Sequence, residues 1–130
     1  MSHAAMTTED VVRNHLRTFI EGNGVDAILE DYHDDARFHS EDRVYRGKRE
    51  IGEFFGRFLE GLPPGALERF RLRSLRVDGE LAYITWSVGA EIPLGTDTFV
   101  VRGGRIASQT FAMHLAPQHA PGSGGRDRGL

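Results

Sequence analysis

The stretch GTDTFVVRGGRIASQTF, residues 95–111, constrains the fold of this chain more than any other segment. Polar and apolar residues alternate on both sides of Gly103-Gly104, which is typical of two β-strands joined by a tight turn. Asp97 shares the alternate positions of Phe99 and Val101, so it faces the core if they do. An unpaired carboxylate is costly to bury. The sequence therefore predicts a partner for Asp97 inside the fold.

The register of this hairpin decides which residue that partner is. A two-residue turn would place the small hydroxyl side chains of the second strand beside Asp97. A three-residue loop at 102–104 with a β-bulge would instead place these residues on its face: Ala107, Gln109, Phe111 and Met113. We favour the second register because a slip by one residue would bury serine and threonine and expose Phe111. Gln109 is then the nearest polar neighbour, and since an amide cannot neutralise a carboxylate, we predict a raised pKa for Asp97.

The rest of the chain divides into a helical first half and a strand-rich second half. Apolar residues recur at helical spacing in three segments, which begin at Thr7 or Thr8, at about Val25 and near Arg46, and end at 22–24, at about Tyr32 and at Gly61. A short strand is predicted at 36–40, and two long alternating segments, 68–80 and 81–91, precede the hairpin. These elements predict an α+β fold with helices on one face of a mostly antiparallel sheet.

Composition limits the class of protein. A chain of 130 residues is long enough for one domain with a sizeable core. It has no cysteine and no apolar run of about 18 residues, so we expect a cytoplasmic protein without a membrane span. The net charge of −3 argues against nucleic acid as the main partner. Residues 1–6 and the Pro/Gly-rich segment 116–130 are predicted to be disordered, which leaves 7–115 as the domain.

The order of these motifs resembles the nuclear transport factor 2-like superfamily, and within it the SnoaL-like group. The resemblance rests on LEDYHDDARFHS after the second helix, on YRGKREIGEFF at the start of the third, and on TDTFVVRGGRI in the hairpin. It implies a cystatin-like cone, in which a curved sheet and three helices on its concave face enclose an apolar pocket. It also implies a homodimer through the outer sheet face. Because the superfamily includes enzymes and non-enzymatic binding domains, the fold does not determine the function.

Two families of enzymes in this superfamily can be compared residue by residue. Ketosteroid isomerase resembles the chain without gaps across VDAILEDYHDDARFHS. The resemblance implies that its general-base aspartate falls at Ser40, its oxyanion-hole tyrosine at Leu16, and its protonated second acid at Asp97. Limonene epoxide hydrolase would need an arginine where Gly95 stands. Neither catalytic set is complete, so neither reaction is predicted.

The predicted site is a pocket around Asp97, which is the candidate catalytic acid or base, with Gln109 orienting it. The predicted ligand-pocket residues are Leu16, Phe19, Phe38, Ser40, Phe54, Phe58, Trp86, Phe99 and Phe111. An equally open interpretation makes Asp97 a structural acid that is satisfied by Gln109, Ser40 or a backbone amide. Trp86 is consistent with either a pocket wall or a core side chain whose N–H is satisfied.

Other candidates have simpler interpretations. We predict that Tyr45 lies at the surface near a strand edge, although its hydroxyl could reach the pocket mouth. His15 lies one step off the apolar stripe of the first helix and is predicted to be a boundary residue, the alternative being a pocket base. His33 and His39 are near two aspartates, but alternation turns His39 away from Phe38, so we predict no metal site. No cofactor is expected.

The arginines at 69, 71 and 73 are predicted to share one face of a strand and to meet carboxylates such as Glu91. The outer sheet face is expected to carry Tyr83, Thr85, Thr98 and Val100 and to form the homodimer contact. We expect the protein to bind a small, mostly apolar organic molecule. If it is an enzyme, isomerisation, cyclisation or dehydration by proton transfer is the expected class. The alternative is a non-catalytic module that binds a ligand or dimerises.

Overall fold

Three α-helices and six β-strands make up residues 6–117, the part of the chain that this computed structural model describes. The helices are α1 (Thr8–Ile20), α2 (Val25–Leu29) and α3 (Gly47–Glu60). The strands are β1 (Tyr32–His39), β2 (Val44–Arg46), β3 (Phe70–Asp78), β4 (Leu81–Val88), β5 (Ile92–Arg102) and β6 (Arg105–His114). A 3-10 helix, Leu67–Arg69, leads into β3. The disorder predicted for 1–6 and 116–130 falls almost entirely outside the described residues and stays a prediction.

The strands form one mixed sheet in the order β2-β1-β6-β5-β4-β3. Only the β1–β6 pair is parallel among these strands, and four of the five pairs contain a register shift. Such bulges bend a strand and increase its twist, which gives a curved sheet that does not close on itself. Helix α1 contacts β3, β4 and β5, and α3 contacts β1 and β2. The predicted α+β fold is confirmed.

Helix α1 begins with a capping box at Thr7, one of the two threonines at which the sequence predicts its start. The Thr7 side chain accepts a hydrogen bond from the Asp10 backbone N–H, and the Asp10 carboxylate accepts one from the Thr7 N–H. Val11, Val12, His15 and Leu16 are its buried residues. Ile20, which helical spacing groups with the apolar residues of α1, is exposed, and His15 points inward instead.

Two tyrosines lie where the sequence interpretation did not put them. Helix α2 ends at Leu29, and Tyr32 begins β1 with its side chain fully buried. The apolar spacing that includes Tyr32 suits a helix equally well, but pairing of Tyr32 with Ile106 of β6 draws it into the sheet. The surface position predicted for Tyr45 is also wrong. Its ring is buried against Phe38 and Phe54, and its hydroxyl contacts Asp42 and Arg57.

The β5–β6 hairpin has the predicted face but not the predicted turn. Gly103 and Gly104 form a two-residue turn in which both have positive φ, with Arg102 opposite Arg105. The register then shifts by one residue, because Val101 pairs with Ile106 whereas Val100 pairs with Ser108. Ala107 is the extra residue. The bulge therefore lies inside β6 rather than at the loop, and it still brings Gln109 and Phe111 to the face of Asp97.

Two further findings concern the outer parts of the fold. The predicted single face for three arginines is wrong, because Arg69 lies in the 3-10 helix and Arg73 falls at a bulge in β3. Arg69 does meet Glu91, at 2.9 Å, within the same chain. Over residues 6–117, every helix falls short of the length and apolar character that crossing a bilayer requires.

Candidate functional site

A small hollow lies between α1, α3 and the inner face of the sheet. Its free volume is about 40 Å³, and we refer to it as the hollow. Its walls are His15, Leu16, Phe19, Phe38, Phe54, Phe55, Phe58, Phe70, Ile84, Trp86, Asp97, Phe99, Gln109 and Phe111. The lining is therefore apolar and largely aromatic, with polar groups confined to Asp97, Gln109, His15 and the Trp86 N–H.

Asp97 is the centre of the polar group in the hollow. The Trp86 indole N–H donates a hydrogen bond of 2.7 Å to Oδ1 of Asp97, and the Gln109 amide donates one of 2.7 Å to Oδ2. Asp97 retains only 7% of its surface. Each carboxylate oxygen thus has one neutral donor, and no cation among the described residues forms an ion pair with it.

Tyr32 fixes the orientation of the Gln109 amide. Its hydroxyl donates a hydrogen bond to Oε1 of Gln109, so the opposite end of the amide, Nε2, points at Asp97. Burial, together with the charges of Asp97 and Asp31, raises the pKa of Tyr32 well above 10.0. Tyr32 therefore keeps its proton and acts as a donor. The order Tyr32, Gln109, Asp97 is a directed hydrogen-bond chain.

Burial dominates the ionisation of Asp97. Desolvation raises the pKa of this carboxyl from 3.8 to about 6, while the hydrogen bonds from Trp86 and Gln109 and the nearby His15 act in the opposite direction. The raised pKa predicted from the sequence agrees with this direction. Asp97 can therefore hold or release a proton close to neutral pH, which an exposed aspartate does not do.

Gly95 makes room for the donor side of this arrangement. Gly95 lies opposite Trp86 in the β4–β5 pair, and the indole packs onto its Cα. A Cβ at residue 95 would lie 2.2 Å from two atoms of the indole ring, far inside van der Waals contact. The absence of a side chain at 95 thus allows Trp86 to lie along β5 and to aim its N–H at Asp97.

His15 enters the hollow from α1, so its interpretation as a boundary residue is wrong. Its side chain is 4% exposed and is enclosed by the rings of Tyr32, Phe55 and Phe99. Its Nδ1 lies 3.5 Å from Oδ2 of Asp31, a buried carboxylate between α2 and β1. Helical spacing alone did not identify this pair, because its two members belong to different elements.

The hollow contains ten of the eleven side chains predicted for it. Ser40 is the exception. Strand β1 ends at His39, and the Ser40 backbone N–H donates to the Arg43 carbonyl while its hydroxyl donates to Asp42. Ser40 therefore belongs to the turn into β2, not to the pocket, and it does not satisfy Asp97. The sequence interpretation also omitted four wall residues: His15, Phe55, Phe70 and Ile84.

The candidate metal ligands are not gathered into a centre. Within residues 6–117, no three His, Asp or Glu side chains converge as a metal ion would require. His33 contacts the Arg102 carbonyl through Nε2, and His39 contacts the Gln109 carbonyl through Nδ1, so the two rings engage different strands.

Solved structures with the same fold place this chain in a class. It is similar to an NTF2-like protein of unknown function from Burkholderia xenovorans LB400, with 21% identity, 88% of each chain covered and a TM-score of 0.68. It is similar to a proposed polyketide cyclase from Sinorhizobium meliloti, with 21% identity, 79% of this chain and 94% of the other covered, and a TM-score of 0.65. TerC, crystallised with polyporic acid, is 15% identical, with 82% and 91% covered and a TM-score of 0.61. The cone-shaped NTF2-like fold is thereby confirmed.

The family follows from the sequence itself. The sequence model of the SnoaL-like domain family matches residues 12–109, which is most of the chain. This protein belongs to the SnoaL-like family. None of the curated proteins matches it in sequence.

Proposed function

We propose that this protein binds a small, mostly apolar organic molecule in the hollow and moves a proton near a carbonyl group of that molecule. Isomerisation, cyclisation and dehydration are the reactions of this kind. The proposal depends on one observation: the carboxyl group of Asp97 lies buried in the wall of a largely aromatic hollow, where desolvation raises its pKa to about 6. A general acid or base works best when its pKa is near the working pH.

Asp97 has the partners that such a role needs. Each of its oxygens accepts one hydrogen bond, from Trp86 or Gln109, and keeps a lone pair free for a substrate proton. Gln109 is a positioning residue, because the Asp97 carboxylate only accepts hydrogen bonds and the donation from Tyr32 to Oε1 supports the same orientation of the amide. Burial among aromatic rings lowers the local dielectric constant, which strengthens electrostatic interactions at the carboxyl.

The size of the hollow restricts the ligand. About 40 Å³ accommodates water molecules but not a ring-sized ligand, since typical small-molecule sites measure roughly 300–1,000 Å³. Phe54, Phe58 and Phe111 are only partly buried and contact one another at the wall. Rotation of these rings would enlarge the hollow. The ligand suggested by this lining is a flat, aromatic or polyketide-like molecule, in keeping with the similarity to a proposed polyketide cyclase and to TerC.

Deuterium exchange tests this proposal without knowledge of the natural substrate. The probe is 2-indanone, a flat ketone with acidic C–H groups, incubated with the protein in D2O and followed by proton NMR. We expect faster exchange with wild-type protein than with Asp97→Asn, and equal binding by saturation-transfer NMR. Asp78→Asn, an exposed acid at the end of β3, is the matched control and should exchange like wild type. Exchange by Asp97→Asn at the wild-type rate would refute the role of Asp97.

A non-catalytic dimerisation or ligand-binding module is the second candidate. Two observations favour it: the small volume of the hollow and the exposed apolar side chains on the outer sheet face, where Leu81 and Tyr83 are 44% and 40% exposed. We propose that a second copy of the chain covers this face. Analytical ultracentrifugation should then detect a dimer that Tyr83→Lys dissociates. A monomeric wild-type protein would refute the proposed contact.

A further inference from the structure

We propose that His15 is the second proton-transfer group of the hollow and that Asp31 positions it, which gives the site the pair of groups suited to an enolisable carbonyl compound. This inference deepens the proposed function and rests on it. By its resemblance to ketosteroid isomerase, the chain has Ser40 where the general-base aspartate of that enzyme would fall. Serine is not a base at this position, and Ser40 also lies in a turn outside the hollow. The structure offers a base from a different element, helix α1.

His15 and Asp31 each have one buried polar atom that forms no hydrogen bond with the described residues. His15 is 4% exposed and Asp31 is 9% exposed. Nδ1 of His15 and Oδ2 of Asp31 are buried, have no hydrogen bond to any described residue, and face each other at 3.5 Å. Buried polar atoms are nearly always paired. A small movement of the imidazole toward the carboxylate would satisfy both atoms at once.

Three hydrogen bonds hold Asp31 in place. Its backbone carbonyl accepts a hydrogen bond of 2.8 Å from the Ile106 N–H, and its own N–H donates to the Ile28 carbonyl. Its Oδ1 accepts a hydrogen bond of 2.9 Å from the Asn14 amide, whose own oxygen accepts from Arg17. Asp31 therefore presents a fixed acceptor, Oδ2, to the imidazole.

Asp31 determines which nitrogen of the His15 ring carries the proton. A carboxylate only accepts hydrogen bonds, so Asp31 places the imidazole proton on Nδ1. The lone pair then belongs to Nε2, on the opposite edge of the ring. Because Nδ1 is turned toward Asp31 and His15 is a wall residue of the hollow, Nε2 is the nitrogen available to a ligand there. The hollow thus contains, besides the carboxyl group of Asp97, a nitrogen lone pair that can accept a proton.

These two groups can divide one proton transfer between them. Nε2 of His15 takes the proton from the carbon next to a carbonyl, and the C–H electron pair forms the enolate C=C bond. The carbonyl oxygen takes the proton of neutral Asp97, which becomes a carboxylate. When the compound carries a C=C bond next to the carbon that loses its proton, this enol is a conjugated dienol; return of the proton from His15 to the far carbon of the dienol, and of the enol proton to Asp97, shifts the double bond, completes an isomerisation and restores both groups. No oxidant, reductant or metal is needed.

The tautomer provides a test that is independent of any ligand. The probe is the ¹⁵N NMR spectrum of the His15 imidazole in wild-type protein and in Asp31→Asn. We expect the proton on Nδ1 in wild type. In Asp31→Asn the new amide oxygen keeps its bond to Asn14 and the amide nitrogen faces His15, so the proton should move to Nε2. Asp26→Asn, an exposed acid in α2, is the matched control and should leave the tautomer unchanged. A wild-type imidazole protonated only on Nε2 would overturn the proposal.

Exchange of 2-indanone tests the base itself. We expect His15→Gln to lower the rate of exchange at least about 100-fold. Asp31→Asn should also lower it, because Nε2 of His15 becomes a donor, whereas Asp26→Asn should have no effect. Binding of 2-indanone should be preserved in all three variants. Asp31→Asn retains the shape of the side chain, so it serves even if His15→Gln does not fold. Exchange that is lost in Asp97→Asn but kept in both His15→Gln and Asp31→Asn overturns this inference and leaves the proposed function standing. A wild-type protein that does not exchange 2-indanone overturns both.

Discussion

Replacement of Asp97 by asparagine should stabilise this protein above pH 6 and not below pH 4. Burial raises the pKa of the Asp97 carboxyl from 3.8 to about 6 in the folded chain. A folded acid with a raised pKa binds its proton more tightly than the unfolded chain does. The free energy of unfolding is therefore highest below the unfolded pKa and falls as the pH rises toward the folded pKa. Asparagine does not ionise, so the free energy of unfolding of the variant does not fall in this way as the pH rises.

The magnitude follows from the same displacement. At about 1.36 kcal/mol per pH unit, a change from 3.8 to about 6 corresponds to about 3 kcal/mol, of which about 2.5 kcal/mol develops between pH 4 and pH 8. The substitution also has a cost. The new amide nitrogen at position 97 would face Nε2 of Gln109, so Gln109 must turn round. Its Nε2 then donates to the Tyr32 hydroxyl, whose own proton loses its acceptor, at a cost of about 1 kcal/mol. We expect a net gain of about 2 kcal/mol at pH 8.

Urea denaturation at pH 4, 5, 6, 7 and 8 measures this difference. Trp86 is the only tryptophan of the chain and donates to Asp97, so its fluorescence reports unfolding and should also titrate with a midpoint near 6 in the native state of wild type only. Asp42→Asn is the control of opposite sign. Ser40 and Tyr45 lower the pKa of Asp42 below 3.8, so this variant should lose stability relative to wild type as the pH rises past 3.8 and then show a constant deficit up to pH 8. A constant difference between Asp97→Asn and wild type at all five pH values would refute the burial argument.

Three further perturbations test the contacts around Asp97 and the start of α1. Gly95→Ala should lower the free energy of unfolding by about 1–3 kcal/mol or more and change the Trp86 fluorescence, because a Cβ would lie 2.2 Å from the indole; unchanged denaturation would contradict the close contact. Tyr32→Phe should cost about 1–3 kcal/mol in urea denaturation, because Oε1 of Gln109 loses its donor in a buried position; a cost within error of zero would show that water or another group replaces the hydroxyl. Thr7→Ala should cost about 1 kcal/mol through loss of the capping box, and Thr8→Ala, one residue along, should cost less in the same thermal melts.

The sequence predicted those parts of the site that depend on local alternation. Asp97 and Phe99 share one face of a strand because successive side chains alternate, and the argument against burying hydroxyl groups selected Gln109 as the neighbour. This reasoning succeeded although the turn was assigned wrongly. The bulge lies at Ala107 instead of the loop. Both arrangements bring the same side chains of β6 to the face of Asp97, although the structure pairs Asp97 with Phe111 where the predicted loop would pair it with Gln109.

The parts that the sequence did not predict depend on contacts between distant segments. Tyr32 fits the apolar face of a helix as well as that of a strand, and only its parallel pairing with Ile106 distinguishes them. The direction of the Trp86 N–H depends on Gly95 across the β4–β5 pair. His15 required knowledge of Asp31, which lies in the segment between α2 and β1. No periodicity within α1 contains that information.

The unfavourable ionisation of Asp97 is a cost that a purely structural role would not require. A side chain needed only to accept the Trp86 N–H could be an asparagine or glutamine, whose amide oxygen accepts the same hydrogen bond without an ionisable group. A pKa raised from 3.8 to about 6 corresponds to an expected loss of about 3 kcal/mol of folding free energy when this carboxyl ionises at neutral pH. No cation among residues 6–117 forms an ion pair that offsets this cost. Asp97 also lies in the wall of the hollow instead of being enclosed on every side by packed side chains. The proposed proton transfer to a ligand would give a use to an acid kept at this place, and the pH series on Asp97→Asn measures the size of its cost directly.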